Sequence, residues 1–148
     1  VLTMVNACGV KIHSLPQDRA YYTPVFDRIV LPLSSQFTSA EDYWSTLLHE
    51  LVHSTGHAKR LNREGIVSSG GSYGDERYAF EELIAEMGSA FLCAQLGVTG
   101  NVQHENYIGA WLKILRADKK ALFSACRQAR EATEYLLSVH DTPAEKAA

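Results

Sequence analysis

The stretch His49-Glu50-Leu51-Val52-His53 decides how this chain reads. It lies in an apolar run with Leu47-Leu48 just upstream, so the segment is expected to be a helix with one buried face. Histidines four residues apart share one side of an α-helix, because four residues is close to one turn of about 3.6. Both imidazoles can then meet one metal ion, and Glu50, offset from that line, can reach a water on the same ion. This is the minimal equipment of a zinc-dependent hydrolase. The bland alternative, two solvated histidines on a surface helix, fits poorly with the flanking Leu47, Leu48, Leu51 and Val52.

Outward from the motif, Thr38-Ser39-Ala40-Glu41 reads as a capping box with Thr38 as the cap. The helix it starts is expected to run through Trp44, Leu47, Leu48, Leu51 and His53 and to end near Gly56. Residues 57–77 turn polar and glycine-rich (Ser68-Ser69-Gly70-Gly71-Ser72) and read as a long mobile loop. A second strong helix is predicted over residues 78–96. Phe80, Leu83, Ile84, Met87, Phe91 and Ala94 form its stripe, and Gly97 is its stop. Two more helices are predicted over 105–115 and, behind an Asp118 cap, over 119–139, with a frayed tail from 141. Upstream, a short helix over Leu2–Ala7 stops at Gly9, and residues 10–13 read as a strand. Residues 19–23 and 28–31 read as a hairpin, and the flanking Pro24 and Pro32 favour a sheet edge for its second strand. That second strand is then a place where an extended peptide can add.

A catalytic zinc site takes three protein ligands and leaves a fourth position for water. In metzincins the third ligand is a histidine shortly after a glycine; Gly56 fits, but Lys59 occupies the ligand position and cannot coordinate as a cation. His57 is a weaker choice, directly after the glycine. The better choices lie in Glu81-Glu82-Leu83-Ile84-Ala85-Glu86. Gluzincins draw a glutamate from a downstream helix, with an acidic residue four positions later to orient a histidine. Glu82 with Glu86 fits that pattern; Glu82 is the preferred third ligand and Glu86 the second choice. Glu82 also shares a face with Ala85 and Ser89, small enough to let another helix approach, whereas Glu81 reads as a solvated charge. Glu50 is the expected general base. Tyr73, Tyr78 and His57 are the open choices for an oxyanion donor, each also readable as structural.

Composition sets the frame. A chain of 148 residues, 46% hydrophobic and 21% charged, suits one domain with a real core. The net charge of −3 leaves no electrostatic footprint for nucleic acid or an anionic membrane. No transmembrane run or signal peptide is visible, and Cys8, Cys93 and Cys126 read as reduced, mostly buried thiols of a cytoplasmic protein. Val1 at the start, with Met4 inside an apolar run, reads as a piece of something longer: a domain over 1–140 and a flexible tail over 141–148.

The run from Tyr43 to His57, with Arg60-Leu61-Asn62-Arg63, Tyr78-Ala79-Phe80-Glu81-Glu82-Leu83-Ile84-Ala85-Glu86 and Ile108-Gly109-Ala110-Trp111-Leu112, resembles the zincin-like metallopeptidase domain of ArdC-type antirestriction proteins and TraC-type plasmid primases. Asp18-Arg19-Ala20-Tyr21-Tyr22 and Asp27-Arg28-Ile29 carry the likeness upstream, over about residues 1–137 in all. The resemblance implies an α+β zincin fold: a small antiparallel or mixed sheet on a helical core, an active-site helix, an antiparallel edge strand and a glutamate-bearing second helix. It implies a gluzincin-type peptidase using Zn²⁺ against a protein or peptide substrate. It also implies a missing N-terminal domain that binds single-stranded DNA, on a mobile element that protects incoming DNA from restriction. The competing expectation is a zinc-binding domain with no proteolytic role, supporting DNA protection by that missing domain.

Overall fold

The computed structural model describes residues 1–67, 76–99 and 108–141. Helix α1 (Leu2–Ala7) leads into strand β1 (Lys11–Leu15), and a hairpin follows of β2 (Tyr21–Thr23) and β3 (Arg28–Pro32). The HExxH helix is α2 (Ala40–Thr55), and a short α3 (Glu64–Val67) follows it. Then come the long α4 (Glu76–Leu96), α5 (Ile108–Ala117) and α6 (Ala121–Asp141). The order α1-β-β-β-α gives the α+β class, with both the sheet and α4 packed on α2. Residues of the expected tail beyond 141 lie outside the described residues, as do the glycine-rich 68–75 and the expected helix start at 105–107.

The sheet order is β1-β3-β2, so the hairpin's second strand is the middle one, not an edge. β3 pairs in parallel with β1, from Lys11 opposite Arg28 to Leu15 opposite Pro32, and antiparallel with β2, from Tyr21 opposite Val30 to Thr23 opposite Arg28. The residues explain the placement. Ile29, Val30 and Leu31 form an unbroken apolar run, all buried, which suits a strand covered on both faces. Pro24 lies in the turn and Pro32 in the last pair of the strand, so neither removes an interior ladder bond. Strand addition at residues 28–31 is thereby excluded. The antiparallel edge strand is β2, which packs against α2.

Helix α2 begins one residue later than the capping box suggests. Ser39, in extended conformation, is the cap, and its hydroxyl accepts the amide N–H of Asp42 at 3.1 Å, while Thr38 stays exposed. The helix ends at Gly56. Leu47, Leu48, Leu51 and Val52 are fully buried and form the centre of the core. Beyond α2 the chain is not a loose loop. The amide of Leu61 donates to the Thr55 carbonyl (2.8 Å) and that of Arg63 to the Gly56 carbonyl (2.9 Å), folding residues 57–67 back on the end of α2.

Helix α4 starts slightly before the predicted 78 and ends at Leu96, with Gly97 at φ +68°, a conformation glycine adopts without strain. Leu83 and Ile84 of the predicted stripe are buried and Phe80, Met87 and Phe91 half-buried, but Ala94 is exposed, and Leu92, outside the stripe, is fully buried. The helix is buried over more of its circumference than one stripe, because α2 and α6 both pack on it. Ala125, Ala129, Ala132 and Leu136 of α6 are fully buried there. Asp118 caps the turn before α6, its carboxylate accepting the amide of Lys120 at 2.8 Å.

Candidate metal centre

Helix periodicity places His49 and His53 one above the other on α2, and both point at α4. Their Nε2 atoms stand 3.1 Å apart. The Glu82 carboxylate faces both, one oxygen 3.4 Å from His49 Nε2 and the other 3.3 Å from His53 Nε2. Two donors held by one ion at about 2.0–2.2 Å stand roughly 3 Å apart in tetrahedral or octahedral geometry. The three separations therefore fit donors aimed at a shared centre. Among the described residues, His49, His53 and Glu82 form the one group of three such donors, with an atom from each within 4.8 Å of the others.

The backs of both rings meet carboxylates. His49 Nδ1 lies 3.5 Å from Glu86 Oε1, and His53 Nδ1 lies 3.5 Å from Glu81 Oε1. At 3.5 Å these are electrostatic contacts, His53 Nδ1 having no hydrogen-bond partner among the described residues. A carboxylate behind Nδ1 favours a proton there and leaves Nε2 to face forward, as in a metal-binding histidine. Glu86 thus stands behind a ring rather than among the converging donors, as an orienting acid spaced four residues from Glu82 should. Glu81 is the correction. Expected to be solvated, it is 1% exposed and ion-paired with Arg63. Its partner comes from a stretch that composition marks as loop, and the signal that points to it is a second acid beside Glu82 on a helix packed on two sides.

Burial opposes the charged imidazolium of His49, yet Glu82 and Glu86 outweigh it and hold the pKa well above 6.5. Burial likewise opposes charge on His53, but Glu82 and Glu81 push its pKa up to about 9. Burial raises the pKa of Glu82 and is overcome by the two histidines, which leave its carboxyl far below the usual range. Without an ion, then, protons are what bind this acid to these bases.

Glu50 is buried beside the cluster. Burial pushes its carboxyl pKa up; His49 and His53 pull it down, Glu82 pushes it up again, and the Tyr22 backbone lowers it, for a net rise. That contact puts edge strand β2 directly over Glu50, a role for Tyr22 that local sequence patterns did not reveal. The Tyr22 hydroxyl donates to Asp27 Oδ1 (2.8 Å), and Arg60 ties Asp27 to the Ser54 carbonyl, so the hairpin is fastened to the end of α2.

The other expected residues stand apart. His57 Nδ1 accepts the amide of Lys59 (3.2 Å) within its own turn and is not among the converging donors; Lys59 is exposed. Tyr78 is half-buried on the first turns of α4, and Tyr73 lies outside the described residues. Cys8 and Cys93 are buried and Cys126 half-buried, all unpaired, and burial pushes the Cys8 thiol up to about 11, far from a thiolate ligand. No described helix is long and apolar enough to cross a membrane.

Known proteins resemble this chain. A family model described as zincin-like metallopeptidase matches residues 1–128. The DNA primase TraC of Escherichia coli is 41% identical over 136 residues, which is 91% of this chain and 12% of the primase. The Mn(II)-bound crystal structure of the antirestriction protein ArdC from plasmid R388 superposes with a TM-score of 0.84 at 37% identity, over 95% of this chain and 52% of that one. The metal-free ArdC structure gives 0.80 at 39% identity, over 93% and 49%. The chain thus spans about half the length of its solved relative and a small part of the primase. The donor set, two imidazoles and a carboxylate, suits a divalent metal.

Proposed function

Since this chain belongs to the zincin-like metallopeptidase family, we propose that it is a zinc-dependent peptidase domain, with His49, His53 and Glu82 as ligands and Glu50 as general base. The observation that carries the reading is the convergence of three donors beside a buried carboxylate of raised pKa. Two histidines and a glutamate are a recurrent catalytic zinc set, although the same donors accept other divalent ions, and the ArdC relative was crystallised with Mn(II).

An ion held there supplies an acidic water and a positive charge beside the developing oxyanion. The chain's own residues do the rest. Glu50, whose raised pKa makes its carboxylate a stronger base, takes a proton from the attacking water and returns it to the leaving amine. Glu81 and Glu86 keep the two imidazoles facing forward. Strand β2, which pairs with β3 alone among the described residues, offers a backbone on which an extended substrate strand can lie near Glu50, presenting a peptide bond to the site. The substrate class is therefore a protein segment that can be drawn out straight. The unpaired thiols support a cytoplasmic setting.

A second reading draws on coverage. The chain spans about half of ArdC, which is an antirestriction protein. In a longer protein the DNA protection can reside in a domain that binds single-stranded DNA, with the metal centre serving structure alone. Zinc-loaded protein incubated with a peptide library, and followed by mass spectrometry, separates the two. Cleavage by the wild type and not by Glu50→Gln supports the peptidase. No cleavage, with DNA protection by the full-length protein untouched by Glu50→Gln, favours the second reading.

A further inference from the structure

Arg63, only 6% exposed, is hydrogen-bonded through all three nitrogens of its guanidinium. Its Nη2 donates to the Val52 carbonyl at 2.8 Å and its Nη1 to the Thr55 hydroxyl at 2.6 Å, positions that bracket His53 on α2. Its Nε donates to both Glu81 oxygens at 3.2 and 3.0 Å, and Nη2 also pairs with Oε1. Glu81 adjoins Glu82 on α4, and the same Oε1 faces His53 Nδ1. One guanidinium therefore grips both ligand-bearing helices next to their ligands.

The fold keeps room for this pair. A Cβ on Gly56 would come within 2.5 Å of Ile66 Cγ1 and 3.0 Å of the Arg63 guanidinium. One on Gly65 would lie 3.0 Å from Glu81 Cβ and 3.1 Å from its Oε2. Neither glycine has a positive φ, so it is the missing side chain, not backbone freedom, that is used. A buried ion pair adds little net stability over apolar residues of the same size. What it supplies is a fixed distance and orientation.

We propose that Arg63 and Glu81 are a positioning pair that sets the affinity of the metal centre: Arg63 gauges the spacing of α2 and α4, and Glu81 holds the His53 ring with Nε2 toward Glu82. The inference rests on the metal-centre reading above. It predicts that the pair can be altered without loss of the fold while ion binding weakens.

The test is zinc affinity by chelator competition, with the visible spectrum of the Co(II)-substituted protein, for the wild type, Glu81→Gln, Arg63→Lys and the double variant Arg63→Met/Glu81→Gln. Glu81→Gln should melt cooperatively but bind zinc about 10–100-fold more weakly, with shifted Co(II) bands. Arg63→Lys keeps the charge and loses the fork, so its loss should be intermediate. The double variant leaves no buried charge unpaired, so it should fold and still show the loss; it decides the matter if Glu81→Gln does not fold. Zinc affinity within about twofold of wild type, with an unchanged Co(II) spectrum, overturns the positioning role. A wild-type chain that takes up neither zinc nor cobalt overturns the metal centre itself, and the inference with it.

Discussion

Where α4 meets α6, Gly88 lies against Ala129, on a face where Ala125, Ala129, Ala132 and Leu136 are fully buried; where it meets α2, apolar packing such as Gly88 on Val52 is joined by Glu81, Glu82 and Glu86 against two histidines. The first face is held by close packing and the removal of apolar surface from water, at about 25 cal/mol for each Å². Gly88 shows how tightly α4 is gripped, since a Cβ there would come within 2.9 Å of Val52 on α2 and 3.5 Å of the Ala129 carbonyl on α6. The second face is costly to bury and needs a cation, whether metal or proton, to offset its acids. One helix thus carries packing alone on one side and packing together with chemistry on the other, and the two should respond to different perturbations.

The largest separable effect is expected at Glu50→Gln. Peptide hydrolysis should fall by about 10²–10⁴-fold while zinc content and melting temperature hold. Turnover measured against metal content would show it, and a parallel fall in zinc would blur the line between chemistry and scaffold. On the opposite face, Leu136→Ala should cost about 2–5 kcal/mol by urea denaturation, with zinc affinity of the folded protein unchanged. Weakened zinc binding there would mean that the two faces are coupled.

Next in size is pH. The raised pKa of His53 contributes stability to the metal-free protein that is fully present below 6.5 and lost as pH rises through about 9. Zinc competes with those same protons, so its stabilisation should grow over that range. Melting curves with and without zinc should diverge as pH rises; parallel curves would refute the shared proton site. The smallest effect is expected at Ser39→Ala, about 1 kcal/mol from the lost cap of α2, read as a lower denaturation midpoint with turnover per folded molecule intact.

The α2 and α4 helices and the shared face of His49 and His53 are legible because helical periodicity is local and strong. The choice of Glu82, with Glu86 four residues on, rests on the gluzincin pattern, which does not say which histidine Glu86 faces. The burial of Glu81 is not legible in the sequence, because its partner, Arg63, comes from a polar stretch whose folding depends on the end of α2, which no local pattern encodes. The middle position of β3 was hidden for a related reason. Its parallel partner β1 lies on the far side of the hairpin in sequence, and the prolines at 24 and 32 are as compatible with a strand's ends as with a sheet's margin. The shift of the cap from Thr38 to Ser39 is of a kind that neighbouring hydroxyl residues make hard to resolve.

The β1-β3-β2 order also bears on how the chain must be handled. The most apolar strand is shielded on one flank by residues 11–15, which belong to the first tenth of the sequence. A shorter version starting after Leu15 would leave the backbone of Ile29, Val30 and Leu31 unguarded, a ready template for clumping with other molecules. Removing residues 1–15 is therefore expected to cost solubility before it disturbs the candidate metal centre.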